Sequence, residues 1–311
     1  MTEVCIENPE RIEVQVDAEK YSESLPLENF IKPGQKSRSA LIILNQKITM
    51  TSLFRPIWNS YQVKVCADGG ANRLFEFFED NEIERESYLP DYIIGDLDSL
   101  KDEVHQYYNS KGVIIIKQTT QYSTDFTKTV NLLSLHFHHK KFNEIIAKSK
   151  KTNHGIELES GIHDLYHEMI SMNSNKIYST INLLALGGIG GRFDQSIHSM
   201  TQFYNLSRTD PYYKLAYLTD TDLIIFIPAG GILVTYSPTF RDSCIGNCGL
   251  LPVGKATSLI ETKGFKWDVE NWETSIESGR VSSSNRFTGI DKCYINAKDG
   301  IVLNIEIFKK N

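Results

Sequence analysis

Between residues 40 and 190, short apolar runs alternate with longer windows of helical periodicity. The runs at 41–44 (LIIL), Val63–Ala67 (VKVCA), 92–94 (YII), 113–116 (VIII) and Ile181–Leu186 (INLLAL) predict strands. Most are separated by windows long enough for a helix, which predicts a mostly parallel sheet covered on both faces. One helix is legible residue by residue. In STDFTKTVNLLSLHF, Phe126, Val130, Leu133 and Phe137 recur at i, i+4, i+7 and i+11, one face of a helix. Thr124 stands where an N-cap belongs, and Asp125 falls in the first turn.

After Pro228 the texture changes. Glycine and turn residues become frequent, and strands are predicted at 232–236, 258–262, 280–284, 292–295 and Ile301–Ile307 with no helices between them. The last run, IVLNIEI, is apolar at 301, 303, 305 and 307, a period of two. The expected organisation is therefore an α/β domain over 40–228 followed by an all-β sandwich or half-barrel over 229–311. Residues 1–39 are charged and aperiodic, and predict a partly mobile arm with one or two short extended pieces. Residues 139–179 interrupt the α/β rhythm and predict an insertion with some helix and a mobile part. Its charges, in KK at 140–141, KSKK at 148–151 and NSNK at 173–176, read as solvated surface.

Composition narrows the class. The 311 residues are 41% hydrophobic and 23% charged, which excludes a collagen, a disulfide miniprotein and a fully disordered chain. A net charge of -6 gives no bulk attraction to nucleic acid or to an anionic membrane, and neither is expected as a partner. No apolar run approaches the roughly 20 residues of a spanning helix. The N-terminus lacks the basic start and apolar stretch of a secretory signal. Five scattered cysteines complete the expectation of a cytoplasmic, reduced protein.

Five aspartates carry the candidate chemistry. Asp68 follows a strand in VCADGGANR, Asp96 and Asp98 follow another in YIIGDLDSL, Asp125 opens a helix, and Asp194 lies in GGRFDQS. Each alone serves equally well as a turn former or cap. Together, at the carboxyl edge of a parallel sheet, they would repel one another unless a cation sat among them. Hard oxygen ligands without His or Cys suit Mg²⁺, which also binds substrate phosphates. The cluster LALGGIGGRFDQS adds Gly187, Gly188, Gly190 and Gly191 before a helix, a turn that can approach phosphate, with Arg192 as a bidentate donor. It departs from the dinucleotide fingerprint because Phe193 stands at the third glycine position. GLLPVGK at 249–255 has P-loop spacing, yet Ala256 follows where a hydroxyl is required, and the next residues read as a strand. Cys244 and Cys248 form half a zinc pattern, and His163 and His167 lack the glutamate of a zinc protease, so both pairs read as structural or incidental. In the β region Trp267, with Ser282, Ser283, Ser284 and Asn285, offers an aromatic face and polar groups for a flat, cationic heterocycle.

Taken in order, CADGGANR, GDLDS, STDFTK, LGGIGGRFDQ, GLLPVGK, GFKWDVEN and VSSSN resemble the thiamine pyrophosphokinase family in its eukaryotic, fungal-type form. The resemblance runs from about residue 40 to the C-terminus, skipping the insertion. It implies an α/β nucleotide domain, a β-sandwich thiamine domain, and a homodimer with sites at its interface. It implies Mg²⁺-dependent transfer of the diphosphate of ATP to thiamine, with ATP as co-substrate. By motif it places Asp96, Asp98 and Asp125 on metal–phosphate positions, with Asp194 completing the acidic catalytic set. It places Asp68, Gly69, Asn72, Gln121, Thr124, Lys128, Gly188 and Arg192 on nucleotide-binding positions. Ser282, Ser284 and Asn285 fall on the thiamine-contacting stretch, and Trp267 on a nearby aromatic position. Asp98 or Asp125 is placed to accept the hydroxyl proton, unless no base is needed until late in the transfer. A non-catalytic nucleotide or thiamine sensor on the same fold is the alternative of a different class, and a kinase passing a single phosphate to a related alcohol is the enzymatic one.

Overall fold

The computed structural model describes residues 2–152, 156–172 and 177–307, without the side chains of 149–152. Two compact units emerge, one spanning Gly34–Gly188 and one built from Met1–Pro33 with Ile189–Asn311. Residues before Pro33 supply β1 (Val4–Glu7), β2 (Glu23–Pro26) and the short helix α1 (Glu28–Ile31).

The Gly34–Gly188 unit contains β3 (Arg38–Ile43), α2 (Thr51–Ser60), β4 (Val63–Ala67), α3 (Gly70–Phe77), α4 (Glu82–Ser87), β5 (Tyr92–Gly95), α5 (Asp102–Ser110) and β6 (Ile114–Lys117). It continues through α6 (Asp125–His138), α7 (Phe142–Thr152), α8 (Gly161–Met172) and β7 (Ile181–Leu186). Its strands run in the order β7-β3-β4-β5-β6, and every pairing is parallel. Residues 40–43 of β3, flanked by β7 and β4, are fully buried, as a strand covered on both faces requires. Helix α6 begins where its sequence says: the Thr124 hydroxyl accepts from the Thr127 N–H at 3.2 Å and caps it. Burial of Leu132 and Leu135 as well as Phe126, Val130 and Leu133 makes α6 an interior helix. The expected insertion supplies part of its cover. Helix α8 packs on α6 and buries Ile162, Tyr166 and Met169 at i, i+4 and i+7. Lys140 and Lys141 are exposed. The run at 173–176 and the side chains of 149–151 lie outside the described residues.

The second unit continues with α9 (Phe193–Thr209), β8 (Tyr213–Leu218), β9 (Asp222–Ile227), β10 (Gly230–Thr235), α10 (Pro238–Cys244) and β11 (Ile245–Leu251). It ends with β12 (Thr257–Lys263), β13 (Trp267–Thr274), β14 (Ser282–Arg286), β15 (Lys292–Ala297) and β16 (Ile301–Ile307). Strands β14-β11-β16-β9-β8 pair antiparallel. A separate sheet has the order β1-β13-β12-β15-β10-β2. The α/β portion is thus followed by a β portion, as expected, but the antiparallel texture begins at Tyr213, before Pro228. Sequence reading assigned no strand to β8 or β9, because their connection (LTDTD) carries neither Gly nor Pro. Strand β11 escaped notice for the opposite reason, since glycines interrupt it. A Cβ at Gly249 would lie 2.6 Å from the Ser282 carbonyl oxygen, so the close approach of β14 needs glycine there. The P-loop-like stretch joins β11 to β12 with no helix, so it lacks the phosphate-binding context.

The largest departure concerns the arm. The described residues of the arm are not loosely attached: β1 and β2 form the two opposite edges of the six-stranded sheet. Leu25, Leu27 and Phe30 are buried behind them, while charges such as Glu23, paired with Lys214 at 2.7 Å, face outward. Short edge strands show little periodicity of their own, because their partners lie more than two hundred residues away. Phe30→Ala is expected to destabilise the protein by about 3–5 kcal/mol, the scale of an emptied aromatic core site. Chemical denaturation measures this, and an unchanged midpoint would return the segment to a loosely attached arm.

Candidate functional site

Parallel strands present all their carboxyl ends at one edge. Asp68 follows β4 there, Asp96 and Asp98 follow β5, and Asp125 opens α6. Carboxylate oxygens of Asp68, Asp96 and Asp98 lie within 4.8 Å of one another. Two non-glycine residues in the left-handed region shape this cluster, Asp68 at φ 43° and Leu97 at φ 64°. Each costs on the order of 1–2 kcal/mol, strain of a kind that collects at functional sites. The kink at Leu97 brings the Asp98 N–H to 3.2 Å from the Asp96 carboxylate, and the Ser99 hydroxyl donates to Asp98 at 3.0 Å. Gly95 leaves the necessary room: a Cβ there would sit 2.6 Å from Asp68 Cβ and 3.1 Å from Asp125 Oδ1.

The electrostatics are unfavourable by construction. Burial pushes the Asp68 carboxyl up, and the nearby Asp125 charge pushes it further. Burial also raises Asp125, against the opposing influence of Lys128. That lysine is itself buried and places its Nζ 3.1 Å from Asp125 Oδ1. Burial acts upward on Asp96 as well, but hydrogen bonds from Gln121 and from the Asp98 N–H outweigh it and lower the group. One oxygen, Asp68 Oδ1, is buried with no hydrogen-bond partner among the described residues. A buried, unpartnered carboxylate oxygen beside two further carboxylates fits a hard divalent cation.

The predicted residues divide clearly. Gln121 joins the cluster, donating to Asp96 at 2.9 Å. Asn72 does not offer its amide to a ligand: it donates to the Ser99 carbonyl at 2.7 Å and accepts from the Lys101 N–H at 3.1 Å, bracing the loop that carries Asp98. Thr124 is occupied as the cap of α6. Gly69 is the N-cap of α3 and Gly70 its first residue, and a Cβ at Gly70 would lie 2.1 Å from the Ile43 carbonyl oxygen of β3. Gly188 is buried just after β7, next to Gly187 at φ 76°. Arg192 and Asp194 belong to the other compact unit, where they form an exposed two-bonded pair at 2.6 and 3.1 Å. The set brought together in Gly34–Gly188 is therefore Asp68, Asp96 and Asp98, with Asp125 beside them and committed to Lys128. Sequence reading placed Asp125 among the metal positions and Asp68 among the nucleotide contacts. Spacing from strand ends could not rank them, because the ranking depends on Lys128 turning toward Asp125.

The β unit holds a cavity of about 440 Å³ lined by Trp267, Ser282, Ser284 and Asn285. Trp267 keeps 39% of its surface exposed. Asn285 fixes that indole through the backbone: it accepts from the Trp267 N–H at 3.1 Å and donates to the Trp267 carbonyl at 2.9 Å. Trp272, Arg280 and Cys5 also line the cavity and were not anticipated. Trp272 was missed because β13 is largely polar, and Cys5 because β1 was not assigned to the sheet.

Known proteins resemble this chain along nearly its whole length. Residues 54–215 match the family described as thiamin pyrophosphokinase, catalytic domain. Residues 240–302 match thiamin pyrophosphokinase, vitamin B1 binding domain. The chain is 55% identical to thiamine pyrophosphokinase of Saccharomyces cerevisiae over 311 residues, 99% of this chain and 98% of that protein. The crystal structure of yeast thiamin pyrophosphokinase superposes with a TM-score of 0.93 at 54% identity, covering 98% of this chain and 97% of that one. Thiamin pyrophosphokinase from Candida albicans superposes with a TM-score of 0.83 at 32% identity, covering 99% of both chains.

A raised carboxyl pKa means that the ionised group opposes folding wherever the pH exceeds its folded value. Asp68→Asn is therefore expected to melt at a higher temperature than the wild type at pH 7 in the absence of divalent cations. The advantage should shrink as the pH falls through the raised folded value and vanish below the ordinary carboxylate range, where the wild-type group is protonated in both states. Thermal melts across that range decide the matter, and a variant less stable at pH 7 would show that Asp68 is not under electrostatic stress.

Proposed function

The chain belongs to the thiamine pyrophosphokinase family, and on that footing we propose that it transfers the terminal diphosphate of ATP to the hydroxyethyl oxygen of thiamine, yielding thiamine diphosphate and AMP. The observation that carries this reading is the convergence of Asp68, Asp96 and Asp98 around an unpartnered buried oxygen at the carboxyl edge of a parallel sheet. Bound there by these three carboxylates, Mg²⁺ would neutralise polyphosphate charge and fix its oxygens.

In-line transfer between phosphorus and an alcohol needs alignment and charge stabilisation more than covalent help. Gln121 orients Asp96, and Asn72 holds the Asp98 loop still. Arg192 supplies a planar donor for phosphate oxygens, and Asp194 holds its guanidinium. As the new O–P bond forms and the bond to AMP breaks, the hydroxyl proton needs an acceptor. Of Asp98 and Asp125, the second suits the task, because burial raises its proton affinity. Trp267 offers its face to the cationic vitamin, Ser282 and Ser284 offer hydroxyls, and Asn285 keeps the indole in place.

A homodimer with sites at its interface belongs to the same reading. Val4 and Ile6, exposed on edge strand β1, are apolar side chains suited to a partner. A cytoplasmic setting fits five cysteines that are all free thiols. No described helix is long and apolar enough to cross a membrane.

With ATP, Mg²⁺ and thiamine, the purified protein is expected to release AMP and thiamine diphosphate in equal amounts. ADP with a monophosphate ester would redirect the assignment to single-phosphate transfer, and no turnover would favour a sensor. Asp98→Asn should lower kcat by about a hundredfold or more with an unchanged circular dichroism spectrum, the scale of a lost charge-stabilising group. Asn285→Ala should raise the KM for thiamine and leave ATP binding nearly intact. Calorimetry with each ligand separately tests that division, and equal losses for both would refute it.

A further inference from the structure

Among the residues lining the 440 Å³ cavity, Arg280 carries the only charged side chain. That is a liability for a pocket assigned to a molecule with a permanently cationic thiazolium ring. The guanidinium stands 4.3 Å from the centroid of the Trp272 ring, which draws it toward the cavity wall. It is also held from the other end of the chain. Glu3 Oε2 accepts from Arg280 Nη2 at 2.7 Å, and Glu3 Oε1 accepts from the Glu273 N–H at 3.3 Å. Glu3 immediately precedes β1, whose pairing of Val4 with Glu270 sets its position beside β13.

We propose that Glu3, delivered by the N-terminal strand, neutralises Arg280 and so makes this cavity receptive to a cationic substrate. This rests on the reading that the cavity takes thiamine. Glu3 and Arg280 are then positioning residues that set charge specificity: with the pair intact the wall presents an indole and a balanced charge, and without Glu3 it presents a bare cation. The Arg280 guanidinium also holds the Glu3 carboxyl below its usual range, so the offset persists into mildly acidic solution. The N-terminal segment thus contributes to recognition as well as to sheet closure, although it lies outside both family-matched regions.

The test compares Glu3→Gln, Arg280→Met and the double variant in the full-length enzyme, with KM for thiamine and for ATP measured separately. Glu3→Gln is expected to raise the thiamine KM by about threefold to tenfold, the scale of one uncompensated charge at a half-solvated site. The ATP KM should stay at the wild-type value, and the defect should diminish with added salt. Adding Arg280→Met, which keeps the side-chain length and removes the charge, should return the thiamine KM to within about twofold of wild type. A merely structural latch predicts the reverse, a double variant at least as impaired as the single one. That result, or a wild-type thiamine KM for Glu3→Gln, would overturn the proposal. Trp267→Ala is run in parallel. If it raises the thiamine KM while Glu3→Gln does not, only the role of Glu3 fails. If it leaves the thiamine KM unchanged, the cavity is not the thiamine site and the inference falls with that assignment.

Discussion

Carboxylates that repel one another in a partly buried site are the constraint around which the Gly34–Gly188 unit is built. Asp68, Asp96 and Asp98 converge, and one Asp68 oxygen finds no partner among the described residues. Such an arrangement persists only where its surroundings over-determine it. Here the surroundings are specific: Gly95 gives room for two carboxylates, Leu97 accepts a left-handed backbone, Asn72 ties down the following loop, and Lys128 balances Asp125. The cost in stability and the capacity to hold a cation are two aspects of one geometry.

The N-terminal segment is the second organising element. By supplying both edge strands of the six-stranded sheet, it pairs the outer flanks of β13 and β10. The same residues bring Cys5 to the cavity wall and Glu3 to Arg280. A segment that reads as charged and aperiodic is therefore part of both the fold and the pocket. Its charges are where they are because edge strands expose one flank to water while Leu25, Leu27 and Phe30 are buried.

Legibility follows the range of the interactions involved. Helix α6 and its Thr124 cap were readable because periodicity and capping act within a few residues. The parallel strands, and the placement of aspartates at their ends, were readable because short apolar runs between helices admit few topologies. Strands β8 and β9 were not readable, since their turn lacks glycine and proline, nor was β13, whose alternation is blurred by polar residues along an exposed face. The stretch carrying Ser282 and Asn285 was legible as a candidate, but the use of Asn285 to fix the Trp267 backbone was not.

Local sequence by itself determined the α/β-then-β order, the helix carrying Asp125, and the set of acidic, glycine-rich and aromatic motifs that identify the family. Tertiary structure alone decided which carboxylates meet, which asparagine braces rather than binds, and where the first strand docks. The physical reason is range. Hydrogen bonds along a helix or within a turn are set by neighbours in sequence, whereas the protonation of Asp68, the partner of Lys128 and the charge balance of Arg280 are set by groups that only folding brings within a few ångströms.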